Sequence, residues 1–278
     1  MKNILVPVDF SDTSENAAHY ALQLAAQIKA PAIVLFHATQ PPVFMDPIVP
    51  AVQILDPEEL KKDSLEALEK FRMKLHAFCP AGCKIELHAD QILLHQGVDD
   101  ICRDKDCGLV VIGMTGGGYV DEKLIGSNAL AVAKHSITPV IIVPPKAHFL
   151  RLDQLMLLSG LGKEDEHLPL GPIRQLVADT GARLMIFHMR ESEGAEEKNA
   201  DRLQMLEKQL HGLKPSYHLA PKGDFVMSVN KAVIDFQADL LLIMPRKQNL
   251  IEQLFHTSHT TRLAFHSHLP LMVINHPG

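Results

Sequence analysis

A chain of 278 residues, 46% hydrophobic and 22% charged, is long enough for one large domain or two ordinary ones, and this composition excludes a disordered polymer. Its formal charge of −6 argues against a general nucleic-acid binder, which carries a basic face. No apolar run approaches the roughly 18–20 residues of a membrane span, and four cysteines in a chain of this length do not make a disulfide framework, so the expected compartment is a reducing cytoplasm.

Residues 3–8 read as a short apolar strand, which Pro7 and Asp9 interrupt too early for a signal peptide. Ala21, Leu24, Ala25 and Ile28 then recur at helical spacing, and 32–37 form a second apolar strand. The proline-rich run 39–57 reads as a loop. Asp56 is the expected N-cap of the next helix, with Pro57 at its first position, Glu59 closing a capping box, and Leu65, Leu68, Phe71 and Leu75 on its buried face. "KIELHAD" (84–90) alternates as a strand. Residues 108–112 form a fully apolar strand, 126–135 a helix and 139–143 another strand. Strands separated by helices imply an α/β fold with a parallel, doubly wound sheet, because parallel neighbours need crossovers.

The chain also matches itself. "APAIVLFH" and "GARLMIFH" end at His37 and His188, 151 residues apart, and the same offset pairs 3–9 with 154–160. An offset of 131 pairs 107–114 with 238–245, and 134–143 with 265–274. Leu203, Leu206, Leu210 and Leu213 form the counterpart of the apolar face at 65–75. Two tandem domains are expected, 1–146 and 151–278, with the join near 145–152.

In doubly wound sheets, ligands bind beyond the carboxyl ends of strands near a topological switch point. Strand 108–112 runs into Gly113, Gly116, Gly117 and Gly118, and Ser127 opens a helix. Glycines admit an anion close to the main chain, and a helix start supplies N–H donors and partial positive charge. Asp9, at the end of the first strand on the same edge, is placed to accept hydrogen bonds from a ribose or base. The pattern is neither a Walker A loop nor G-x-G-x-x-G.

Gly113-x2-Gly116-x9-Gly126-Ser127, with its apolar strand before and "HSITPVIIVP" after, resembles the ATP-binding motif of the universal stress protein family. The opening "ILVPVDFSDTSENAAHYALQLA", the strand ending "LFHA" and the tandem arrangement are also similar to that family, over essentially the whole chain. The resemblance implies two adenine-nucleotide alpha-hydrolase-like domains, each with a mostly parallel five-stranded sheet flanked by helices. It implies that Pro7, Val8 and Asp9 contact adenine and ribose, with Ile33 beside the base. Gly113, Met114, Thr115 and Gly116 would begin the phosphate loop, and Gly126, Ser127 and Asn128 would end it. ATP would bind with Mg²⁺ held largely by phosphates and water. Strands 139–143 and 270–274 would pair as an intramolecular pseudo-dimer, and two chains could associate further as a homodimer.

The second half departs from the motif. Gly113 becomes Met244, Gly116 becomes Lys247, Gly126 becomes Thr257 and Asp9 becomes Gly160, while Ser258 persists at the place of Ser127. ATP is therefore expected in the N-terminal half alone. "SGLGKED" (159–165) lacks Walker spacing. The four histidines of 256–268 have no acidic or cysteine companion, so no metal site is expected there, and the four cysteines read as reduced thiols. No nucleophile–base constellation is visible. The expected function is an ATP-binding stress-response module that signals to an unidentified protein partner. A slow ATPase or phosphotransferase is one alternative, and a scaffold or small-molecule carrier without nucleotide is the other.

Overall fold

A computed structural model of the chain describes residues 2–39, 56–114, 126–158, 169–190, 206–210, 212–245 and 268–275. In chain order the elements are β1 (Asn3–Pro7), α1 (Asp12–Ile28), β2 (Ala32–Ala38), α2 (Pro57–Leu75), β3 (Lys84–Asp90), α3 (Leu94–Asp104), β4 (Cys107–Gly113), α4 (Ser127–His135) and β5 (Val140–Val143). After these come β6 (Gln154–Leu158), α5 (Leu170–Thr180), β7 (Arg183–Met189), β8 (Ser216–Ala220), α6 (Phe225–Phe236), β9 (Leu240–Ile243) and β10 (Leu271–Val273).

The ten strands form one sheet in the order β3-β2-β1-β4-β5-β10-β9-β6-β7-β8. All neighbours are parallel except β5 and β10, which run antiparallel with Ile141 opposite Met272. Each half of that order is a doubly wound five-strand set. The registers repeat as well: Ile4 pairs with Ile33 and Leu109, and Leu155, 151 residues on, pairs with Leu184 and Leu240. Phe36 meets His88 at 5.7 Å between ring centroids, and Phe187 meets His218 at 5.6 Å.

Side chains alternate across the sheet and build a core on each side. Ile4, Val6, Leu155 and Leu157 face α1, α2 and α5, whereas Leu5, Val34, Met156 and Leu241 face α3, α4 and α6. The apolar stripe expected on α1 is buried as anticipated, and so are Leu68, Phe71 and Leu75 of α2, with Leu65 partly buried against the same core. Asp56 caps α2 through the Glu58 N–H at 3.1 Å, so the expected box with Glu59 is replaced by a simpler cap. Polar side chains tie the halves together. The Gln27 side chain both accepts from Leu152 N–H (2.8 Å) and donates to its carbonyl (2.9 Å), and Asn275 Nδ2 donates to the carbonyls of Ala133 and Ser136.

Candidate functional site

The sheet order puts β1 between β2 and β4, so the chain winds outward in opposite directions from the β1/β4 crevice. A switch point of this kind leaves room beyond the carboxyl ends of the strands. Along the β1 side, Val8 N–H donates to Phe36 carbonyl at 2.8 Å, and His37 Nδ1–H donates to Val8 carbonyl at 2.7 Å. The carbonyl can only accept, which places the proton on Nδ1 and makes Nε2 the acceptor of the neutral ring. Asp9 is exposed at the strand end, and its Oδ1 accepts from both the backbone N–H (3.1 Å) and the hydroxyl of Ser11.

Two helix starts meet this edge, and they differ. Ser11 caps α1 by accepting from Ser14 N–H at 3.3 Å. By contrast, α4 begins after Gly126, which has no side chain to accept from the N–H groups of its first turn, and Ser127 and Asn128 are exposed there. The first turn of a helix has N–H groups with no intrahelical partner and carries partial positive charge. The two ends of the glycine-rich segment are pinned together, because Gly126 N–H donates to Met114 carbonyl at 2.7 Å and Met114 N–H to Val143 carbonyl at 2.9 Å.

The structure thus brings Pro7, Val8, Asp9, Gly113, Met114, Gly126, Ser127 and Asn128 to one edge, while Thr115 and Gly116 lie outside the described residues. Within this group Met114 is fully buried, so only its backbone can face a ligand. Gly113 has a packing reason for being glycine. A Cβ there would stand 2.7 Å from the carbonyl oxygen of Thr13 in the first turn of α1. Ile33 is a correction. It pairs with Ile4 near the amino ends of the strands, fully buried, three residues before the Phe36 that pairs with Pro7. At about 3.3 Å per residue it sits roughly 10 Å from the carboxyl end of β1 at Pro7, and Asp9 lies two residues beyond that end. An apolar β2 residue fits a base-contact pattern by type, but its position along the strand decides what it touches.

The residues at the corresponding end of β2 are His37 and Ala38, and beside them is Phe10. Its ring lies 4.7 Å from that of His37 and 6.0 Å from Phe71, on a backbone with φ of 64°. A bulky residue in the left-handed region is a rare, costly conformation that tight packing must hold. The aromatic directly after Asp9 at a strand end was the available sequence signal for it.

Several second-half expectations fall outside the described residues: Gly160, Lys247, Thr257, Ser258, the 159–165 segment and all of 256–268 except His268. Met244 is described and packs partly buried against the core. Among the described residues no group of three or more His, Cys, Asp or Glu side chains is arranged to hold a metal ion, and no helix is long and apolar enough to cross a membrane.

The fold is similar over 98% of both chains to a universal stress protein from Archaeoglobus fulgidus, with a TM-score of 0.65 at 19% identity. A putative universal stress protein from Pseudomonas aeruginosa is similar over 99% of this chain and 93% of its own, with a TM-score of 0.60 at 13% identity. In sequence, 142 residues are 28% identical to a universal stress protein of Methanocaldococcus jannaschii, covering 51% of this chain and 81% of that one. The family model for universal stress proteins matches residues 1–144. With more than half of its length under that model, and with the parallel sheet and switch point described above, the chain belongs to the universal stress protein family.

Proposed function

We propose that the chain is a cytoplasmic stress-response protein that binds ATP, with Mg²⁺, at the β1/β4 crevice of a first domain spanning 1–146. Residues 151–278 act as a degenerate second domain and intramolecular pseudo-dimer partner. The observation that carries this reading is the contrast between α1, which Ser11 caps, and the first turn of α4 beside Gly126 and Ser127, which no described side chain caps. Phosphate oxygens suit those N–H groups and the Ser127 hydroxyl. Asp9 suits a ribose hydroxyl as an acceptor, and its tie to Ser11 fixes its direction. Mg²⁺ would be held mainly by phosphates and water, as is usual when a protein offers few carboxylates. Occupancy would be communicated to a protein partner through the segments bordering this edge, 39–57 and 113–126, as a shift between conformational populations.

The test is a calorimetric titration of nucleotide-stripped full-length protein with MgATP. One nucleotide per chain is expected, with Gly116→Val abolishing the signal and Asp9→Ala weakening affinity about tenfold or more. Two per chain would overturn the degeneracy of the second half, and no binding would overturn the nucleotide reading.

A further inference from the structure

The four cysteines fall into two pairs with opposite surroundings. Cys102 and Cys107 are buried where α3 passes into β4. Cys79 and Cys83 flank the turn that leads from the end of α2 into the edge strand β3, and both are half-buried. In that turn Cys83 N–H donates to Pro80 carbonyl at 3.0 Å, and Gly82 takes a φ of 84°. The turn folds Cys79 onto Cys83: Cys79 Sγ–H donates to the Cys83 carbonyl at 3.3 Å, and Cys83 Sγ–H donates to the Lys84 carbonyl at 3.7 Å. Both line an open groove of about 730 Å³, together with Arg72, His76 and Lys84.

We propose that Cys79 and Cys83 are a redox modification site, a dithiol that a hydroperoxide converts to an intrachain disulfide. The turn already holds Cys79 Sγ against the backbone of Cys83, four residues on, so a bond between the two sulfurs closes a short loop. The groove, which Glu69 and Glu86 also line, gives a small peroxide access to both sulfurs. Burial and the neighbouring Cys79 sulfur push the Cys83 thiol up, which favours Cys79 as the thiol that meets the oxidant first.

The Cys79 thiolate attacks the peroxide and forms an S–O bond as the O–O bond breaks, giving a sulfenic acid; the departing oxygen takes a proton from solvent and leaves as water or an alcohol. The Cys83 sulfur then attacks the Cys79 sulfur. An S–S bond forms, the S–O bond breaks, and the oxygen leaves as water with the Cys83 proton. Two electrons pass in total from the sulfurs to the peroxide. Exposed disulfides of this kind are labile and reversible by thiol exchange.

The test treats the reduced full-length protein with graded hydrogen peroxide, followed by alkylation and peptide mapping. The expected result is a loss of two hydrogen masses linking Cys79 to Cys83, at a rate about tenfold or more above any loss at Cys102 and Cys107. Dithiothreitol should restore both thiols. Cys83→Ser should leave a sulfenic acid on Cys79 that dimedone traps. The proposal is overturned if all four thiols oxidise in parallel or if Cys79 and Cys83 stay alkylatable. It is equally overturned if Cys79 passes to a sulfinic acid with Cys83 still free.

Discussion

In the β1/β4 crevice, Gly113 lies against the first turn of α1, so close that a Cβ would meet the Thr13 carbonyl oxygen at 2.7 Å and its carbon at 2.9 Å. In the β6/β9 crevice the residue one position past the strand is Met244, packed partly buried against the core. The strands that frame the two crevices share the same registers. The connections differ: α1 starts five residues after β1 ends, whereas α5 starts twelve residues after β6 ends. A short connection presses a helix start onto the neighbouring strand end and demands glycine there. The change from Gly113 to Met244 therefore speaks first about helix placement. The case for a degenerate second site rests instead on Lys247 and Thr257, which replace Gly116 and Gly126, and on the loss of the Asp9 acceptor at Gly160.

The sharpest way to break this comparison is at paired core positions. Ile33 and Leu184 occupy the same register in the two halves and are 0% and 2% exposed. Ile33→Ala and Leu184→Ala should each destabilise the fold by about 2–5 kcal/mol in urea titrations. Neither should change nucleotide stoichiometry or affinity in the folded protein. A selective loss of nucleotide binding in Ile33→Ala would return this residue to the site, against the strand register.

Gly113→Ala comes next, at about 1–3 kcal/mol, because the obstructing atoms are backbone and neither helix nor strand can give way cheaply. Gly97→Ala is the control. Its Cβ would approach Ile92 Cγ2 at 2.8 Å, a side-chain methyl rather than backbone, with Phe36 Cζ at 3.7 Å. The helix-propensity gain of about 0.5–1 kcal/mol offsets that adjustment, so the net effect should stay within about 1 kcal/mol. Equal losses for the two variants would mean that α1 does not constrain Gly113.

Much of this architecture was legible in the residues. Strand edges, the cap at Asp56 and the stripe on α1 follow from apolar period and turn chemistry, and the two offsets of 151 and 131 reappear as matched strand registers. Less was legible where type and position come apart. Ile33 has the right chemistry at the wrong end of its strand, because alternation reports which face a residue takes but not how far along the sheet it lies. Helix α3 carried no cap signal, since Leu93 has no capping side chain and Gly97 sits inside it. The reason for Gly113 needs a contact with Thr13, a hundred residues away in sequence, which no local pattern encodes.

A smaller effect is expected at Tyr20 in α1, whose position 151 residues on is Gly171. The Tyr20 hydroxyl is buried without a hydrogen-bond partner among the described residues, and burial drives its titration far above the ordinary range. Removing an unsatisfied group relieves its desolvation cost. Tyr20→Phe should therefore leave the urea midpoint unchanged or raise it by up to about 1 kcal/mol in stability. A clear loss would show that the hydroxyl has a partner outside those residues.

The smallest effect concerns His88 and His218, which face Phe36 and Phe187 at matching places in the edge strands. Burial, reinforced by Lys105 and Lys61, holds His88 below its ordinary value near 6.5, outweighing the opposite pull of Asp90 and Asp104. A histidine depressed in the folded state binds its proton more readily when unfolded. Its contribution to stability is thus complete above pH 6.5 and is lost as pH falls from there through the folded value. His88→Gln should flatten the decline of the urea midpoint between pH 7.5 and the acid limb, with little change at pH 7.5. If the variant declines as steeply as the parent, the burial of His88 on β3 contributes nothing to the acid response.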